Sequence, residues 1–226
     1  MADEYLTDDE QAEVLKSWWR ENWAWVLSGI VLGLALLVGW QYYQRYTLQR
    51  ASAAAEALYQ YAGAIAVDQP KAATLFNELT EKYKATPYSQ QAQLLKAMYA
   101  VDSNDLAGAE TALRTAMADR KDPELAQVAT QRLARVLIEQ GKHDEALALL
   151  DTSKASGFVA QAHEIRGDAL LAKQDQAAAI AEYQAALTAY QSDSTVDTSL
   201  LEIKLADLGA SAAAEPATVM AEASTK

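Results

Sequence analysis

Hydrophobic positions follow two regimes along this chain. From Asn22 to Gln44 they are nearly continuous: twenty-three residues carry no charge, bounded by Glu21 and Arg45. After residue 46 they turn periodic, with alanine and leucine recurring between Gln, Glu and Lys, while valine and isoleucine become sparse. No segment alternates with the period of two that marks a strand, and the composition favours helix throughout. The pattern predicts an all-α protein: a single N-terminal transmembrane helix followed by a helical domain.

Trp23 to Trp40 reads WAWVLSGIVLGLALLVGW. As a helix this run covers roughly 30 Å, the thickness of a bilayer's hydrocarbon core. Its nine strongly apolar residues, Val26, Leu27, Ile30, Val31, Leu32, Leu34, Leu36, Leu37 and Val38, favour insertion by roughly 3–5 kcal/mol. Trp18, Trp19, Trp23 and Trp25 collar one end, and Trp40, Tyr42, Tyr43 and Tyr46 the other. Amphipathic rings prefer the headgroup layer, and a soluble core helix has no reason to carry two such collars. A cleaved signal peptide would have a shorter apolar stretch closely followed by small residues. Here the bulky run Trp40 to Tyr46 follows, and Ala51-Ser52-Ala53 comes too late. The reading is an uncleaved anchor. Lys16 and Arg20 before it balance Arg45 and Arg50 after it, so charge leaves the orientation open. Gly29 and Gly33 form a GxxxG pair suited to close approach of another transmembrane helix.

Ahead of the span, Thr7 and Glu10 have capping-box spacing, and Val14, Leu15, Trp18 and Trp19 share a face, which predicts an interfacial helix. Beyond it no Gly or Pro intervenes until Gly63. The spanning helix is therefore expected to continue into the first helix of the domain.

The periodic regime repeats itself. Ala97 is followed by Ala109, Leu113 and Ala116; Ala134 by Ala146 and Leu150; Gly167 by Ala179, Tyr183 and Ala186. In each stretch a small residue precedes an alanine by twelve positions, and a large apolar residue lies four further on; the stretches are offset by 37 and 33 residues. Two helices packed at close range need small residues where their backbones approach, and the large residue fills the groove beside them. Turns are expected at Asn104-Asp105, Gly141 to Asp144 and Gln174-Asp175, with Asp144 and Asp175 as N-caps. A weaker unit is carried by Ala72, Phe76 and Leu79, ending near Pro87. A closing helix, 198–208, would cover the last apolar face with Leu200, Leu201, Ile203 and Leu205.

These units resemble the tetratricopeptide repeat, best at Leu133-Ala134 through Gly141 to Ala146 and Leu150, and at Gly167, Tyr183 and Ala186. The early aromatic of that repeat is replaced by Gln93, Thr130 and His163, and most unit ends lack proline. The resemblance implies a helical-repeat solenoid with a concave groove lined by the first helix of each pair. Its groove-facing positions, the partner-binding candidates, are Gln91, Leu94, Met98, Gln131, Arg135, Glu164 and Asp168.

Composition narrows the function. Net charge is −12 over 226 residues. The first 21 residues hold seven acids and two bases, hence −5, leaving −7 for the remainder. That sign disfavours nucleic-acid and anionic-lipid binding. There is no cysteine, hence no disulfide, thiol catalysis or cysteine-based zinc site. His143 and His163 occupy different repeat positions and read as solvated surface histidines. Glycines are scattered singly, and Ser28-Gly29 and Ser156-Gly157 lack nucleophile-elbow context. No catalytic, metal or cofactor constellation emerges, which points to binding without catalysis.

The order of the parts is more specific than any one of them. It runs from an acidic head ending in Val14-Leu15-Lys16, through a Gly-bearing span, to the exit Gly39-Trp40-Gln41-Tyr42-Tyr43. The weak repeats follow, with Leu133-Ala134-Arg135-Val136 and Arg166-Gly167-Asp168-Ala169-Leu170-Leu171. From about residue 5 to 208 this resembles the YfgM family, the tetratricopeptide-like ancillary subunits of the bacterial SecYEG translocon. The resemblance implies an inner-membrane protein with a cytoplasmic head (1–21), one crossing (22–46) and a periplasmic repeat domain (47–208). The tail, 209–226, is rich in Ala, Ser, Thr and Glu; it cannot bury a core, is expected to be disordered, and looks like an extension that the family need not have. The resemblance also implies contact with SecYEG and with a periplasmic chaperone related to membrane-anchored peptidyl-prolyl isomerases, and a role in passing exported chains from channel to chaperone. Two other readings of the anchored scaffold are an adaptor that sequesters a signalling regulator and a recruiter of an envelope-synthesis enzyme.

Overall fold

The structure, a computed structural model, describes residues 8–150, 158–190 and 196–210. The Thr7 cap, Ser156-Gly157 and residues 211–226 of the tail lie outside the described residues. Among those described there are nine helices and no strand. They are α1 (Asp8–Ala64), α2 (Gln69–Glu81), α3 (Pro87–Asp102), α4 (Leu106–Ala118), α5 (Pro123–Glu139), α6 (His143–Leu149), α7 (Val159–Ala172), α8 (Gln176–Tyr190) and α9 (Ser199–Asp207). The chain divides into two compact units, Met1–Ala53 and Ala54–Lys226.

The first unit consists, as described, of the greater part of α1. This is the one helix among the described residues long and apolar enough to cross a membrane, and no part of its apolar window is buried. Two of its polar side chains bond back to the helix: Asn22 Nδ2 donates to the Trp18 carbonyl at 2.8 Å, and Ser28 Oγ to that of Ala24 at 2.6 Å. α1 runs without a break to Ala64, as the absence of Gly and Pro between residues 40 and 62 predicts.

The second unit is a stack of antiparallel helix pairs. The last turns of α1 pair with α2 over a core of Ala54, Ala57, Tyr61, Leu75 and Leu79. Then come α3 with α4, α5 with α6, and α7 with α8, with α9 closing the end. The small residues of the repeat lie where the helices cross: Ala97, Ala109, Ala134, Ala146 and Ala179 are all buried, the first four of them in one continuous core with Leu113, Leu133, Leu137 and Leu150. Gly167 is the tightest crossing, for a Cβ built there would meet ring carbons of Tyr183 at 2.4–3.0 Å. Tyr183 is itself fully buried.

The first helices of the last three pairs, α3, α5 and α7, end in the same way. Asn104 (φ 59°), Gly141 (φ 75°) and Gln174 (φ 65°) take the left-handed conformation, again 37 and 33 residues apart. The next N–H returns to the carbonyl five residues back: Asp105 to Ala100 (2.7 Å), Lys142 to Leu137 (2.8 Å) and Asp175 to Leu170 (3.0 Å). This motif satisfies carbonyls that the helix end would leave unpaired. The same residue then caps the second helix, Asp105 accepting from Gly108 N at 2.9 Å and Asp175 from Ala178 N at 3.2 Å. In the middle unit the equivalent position is Lys142, which has no capping side chain. Asp144 lies inside α6 and pairs with Lys173 instead. The expectation that Asp144 is an N-cap is thus corrected: the glycine turn at Gly141 brings the helix start two residues earlier.

A left-handed backbone costs an L side chain roughly 1–2 kcal/mol. Gln174→Gly is therefore expected to raise stability by about 0.5–1 kcal/mol after the added flexibility of the unfolded chain is subtracted. Thermal unfolding followed by circular dichroism would register this as a rise of a few degrees in Tm.

Side chains tie the helices together, both within a pair and from one pair to the next. Gln90, buried at the start of α3, donates to the Ala116 carbonyl at 2.9 Å, and Gln140 to that of Leu106 at 2.9 Å. Glu110 accepts from Arg114 Nε at 2.9 Å and from Lys142 Nζ at 2.8 Å, and Arg114 also reaches Glu145. Lys142 and then Arg114 hold the Glu110 carboxyl below its ordinary pKa of 4.5. Its contribution is complete above that ordinary value and is lost as the pH falls through the lower folded value. Glu110→Gln should accordingly lower Tm at neutral pH, and the deficit should shrink as unfolding is repeated at pH values descending below 4.5.

The closing helix covers less than its composition suggests. Leu201 and Leu205 are buried, but Leu200 and Ile203 are 62% and 56% exposed. A straight helix packed on one side buries about one stripe, and positions 200 and 203 fall outside it.

Candidate functional site

In the repeat unit the first helices of successive pairs present two adjoining cavities. The larger, about 430 Å³, lies among Leu58 and Tyr59 of α1, Gln91, Leu94 and Met98 of α3, and Arg132 of α5. The other, about 280 Å³, lies between α3 and α5, with Met98, Val101 and Val136 on its apolar surface and Asp102, Arg135 and Glu139 among its charges. Met98 and Arg132 line both, so the two form one groove.

The residues expected to face the groove separate into two groups. Gln91, Leu94 and Met98 line the larger cavity and Arg135 the smaller. Met98 is half exposed and Leu94 is nearly covered. Gln131 is buried, and its Nε2 donates to the Phe158 carbonyl at 3.3 Å, which links α5 to the start of α7. Glu164 and Asp168 sit apart from both cavities. Lys204 of the closing helix engages them, at 3.2 Å and 2.7 Å, and lies 5.4 Å from the centre of the Tyr183 ring. Tyr183 donates its hydroxyl to Asp168 at 2.8 Å. Burial first, then Asp168, pushes that hydroxyl far above the ordinary tyrosine range. The last pair of candidates is thus already occupied by α9.

Sequence reasoning missed Arg132, Val101, Asp102 and Glu139. The signal was present: Arg132, Arg135 and Glu139 recur at helical spacing on α5, and Met98 and Val101 on α3, so each set shares a face. Arg135 also acts on Tyr190 at the end of α8, whose hydroxyl pKa is raised by burial and by Glu164 and lowered by Arg135.

The histidines are not solvated as expected. His163 lies within α7, mostly covered, with Nδ1 at 2.7 Å from Glu182, which also accepts from Arg166 Nε at 2.8 Å. His143 opens α6, its Nδ1 buried. His163 is drawn inward because α8 packs over a position that a single helix would leave in water. Among the described residues no three His, Asp or Glu side chains are grouped to hold a metal ion.

On α1, a Cβ at Gly29 or Gly33 would meet nothing within 4 Å. The leucines around them, from Leu27 to Leu37, are 52–67% exposed. This apolar surface has no cover among the described residues.

Comparison with known proteins is consistent along nearly the full length. The model of the tetratricopeptide repeat-like domain matches residues 16–210, which takes in both the apolar segment and the repeats. The ancillary SecYEG translocon subunit of Escherichia coli K12 is 32% identical over 181 residues, covering 80% of this chain and 87% of that protein. Proteins of the same name from Aggregatibacter actinomycetemcomitans and Neisseria gonorrhoeae are each 30% identical, covering 90% of this chain and 98% of theirs. No solved structure matches. With the repeat geometry and the uncovered apolar helix in place, the extent of these similarities shows that the chain belongs to the tetratricopeptide repeat-like family of ancillary SecYEG translocon subunits (YfgM).

Proposed function

We propose that this chain is a non-catalytic scaffold of the bacterial inner membrane that works as an ancillary subunit of the Sec translocon. Residues 22–46 cross the bilayer once, residues 1–21 face the cytoplasm, and the repeat domain faces the periplasm. There the groove receives exported chains and passes them to a chaperone related to membrane-anchored peptidyl-prolyl isomerases. The observation that carries this reading is the pairing, in one chain, of an uncovered apolar helix with a groove built of helix faces. The relatives named as translocon subunits support it by matching this chain along nearly its full length, both parts included. The groove is shallow and mixes methionine, valine and tyrosine with guanidinium groups, which suits contact with polypeptide. Gly29 and Gly33 offer the span a face for close packing against a translocon helix.

The test is co-purification of the full chain, solubilised in mild detergent from its own membranes. Recovery of SecY, SecE or SecG with it supports the proposal. Recovery of a signalling regulator or a wall synthase without them would replace it with one of the other readings. A reporter active only in the periplasm, fused after Lys226, should be active; activity confined to a cytoplasmic reporter would reverse the orientation.

A further inference from the structure

The smaller cavity has a charge pattern that specifies more than a generic peptide. α3 ends on Asp102 and α5 ends on Glu139, and neither helix has a base in its last turn. A carboxylate there faces the negative pole of its own helix, where a cation is the stabilising neighbour. Both carboxylates line the same cavity, and among the described residues neither makes an ion pair. Arg132 and Arg135 line that cavity too, also outside any ion pair among the described residues. On α5 the bases precede Glu139 by seven and four residues, or roughly 10 and 6 Å along the helix. Met98 and Val101, about half exposed, provide the apolar surface.

A ligand of one sign would place like charge against one pair or the other, which costs affinity. A neutral apolar ligand would leave four charged groups facing it unpaired. We propose that this cavity holds a bipolar segment of another polypeptide: apolar side chains over Met98 and Val101, an acidic residue at Arg132 and Arg135, and a basic residue at Asp102 and Glu139. In an extended segment at about 3.3 Å per residue, acid and base stand two to three residues apart to span the gap. This assignment rests on the scaffold reading of the groove and gives it a specificity.

The test uses the full chain in lipid nanodiscs and short fluorescent peptides with a Leu-Leu centre, read by anisotropy. One carries Glu-Glu before the centre and Lys-Lys after it, a second has that order reversed, a third Glu on both sides, a fourth Lys on both sides, and a fifth a Ser-Ser centre with mixed flanks. One of the two bipolar Leu-Leu peptides should bind about tenfold or more tighter than the others. Arg132→Glu with Arg135→Glu should transfer the preference to the all-Lys peptide, and Asp102→Lys with Glu139→Lys to the all-Glu peptide. These side chains lie at the surface, so Tm of each variant should stay near that of the parent. Single-sign peptides that bind as tightly as the bipolar ones, charge exchanges that leave the order unchanged, or no binding of any peptide would overturn the assignment. Preferential binding of a synthetic peptide of residues 211–226 would overturn it as well, since the occupant would then be this chain. Recovery of the translocon with the protein is read separately, so a failed peptide preference leaves the broader reading standing, and a failed co-purification removes it.

Discussion

Tyr183→Ala is expected to destabilise the repeat unit by about 3–5 kcal/mol, a large fraction of the stability an ordinary domain possesses. The ring is fully buried against Gly167, a residue with no side chain to relax into the space. The substitution also removes the hydroxyl bound to Asp168 and the ring beneath Lys204. Gly167→Ala attacks the same contact from the other side. Its Cβ would stand 2.4 Å from a ring carbon that packing prevents from moving. Overpacking of about 3 kcal/mol, less the roughly 1 kcal/mol by which alanine favours a helix over glycine, leaves a net cost of about 2 kcal/mol. In the Tyr183→Ala background the clash is gone and only the helix preference remains, so Gly167→Ala should then stabilise by about 1 kcal/mol. The change of sign, a coupling of about 3 kcal/mol, is what distinguishes a tight crossing from two independent core positions. Chemical denaturation of the four proteins measures it, and additive effects would refute the packing argument.

The second large effect concerns the span. Leu34→Arg places a guanidinium near the middle of residues 22–46. It exchanges a favourable contribution of about 0.5 kcal/mol for a penalty of about 3 kcal/mol, which removes most of the roughly 3–5 kcal/mol that favours insertion. The fraction of the chain that stays in the membrane through alkaline carbonate extraction should fall sharply. Leu34→Ile should leave it unchanged, and so should Leu48→Arg, because residue 48 lies beyond the second aromatic collar. Equal extraction of the Leu34→Arg chain and its parent would mean that the apolar run does not anchor the protein.

How much of this could be read from the chain alone follows from the range of each interaction. The helix crossings were legible because a small residue at a fixed offset from another small residue has one simple packing use, and Gly167 with Tyr183 states it most plainly. The turns were legible because Asn104, Gly141 and Gln174 recur at the same offsets. What escaped depended on which distant element packs where. Asp144 falls inside α6, because the Gly141 turn sets the helix start at Lys142, whose side chain makes no cap. Glu164 and Asp168 share the helical positions of groove residues, yet Lys204, forty and thirty-six residues later, covers them. Leu200 and Ile203 remain exposed because α9 packs through Leu201 and Leu205. His163 pairs with Glu182 across a helix interface that no local pattern announces. The charge pattern of Arg132, Arg135, Asp102 and Glu139 needed α3 and α5 side by side before its meaning was visible.

One measurement bears most directly on the proposal that the scaffold stands beside the translocon. A photoreactive residue is installed at Gly29 in the otherwise unaltered full chain and activated in native membranes. The account predicts an adduct with SecY, SecE or SecG. Adducts at this position with a wall synthase or a signalling regulator, and none with the translocon, would contradict it.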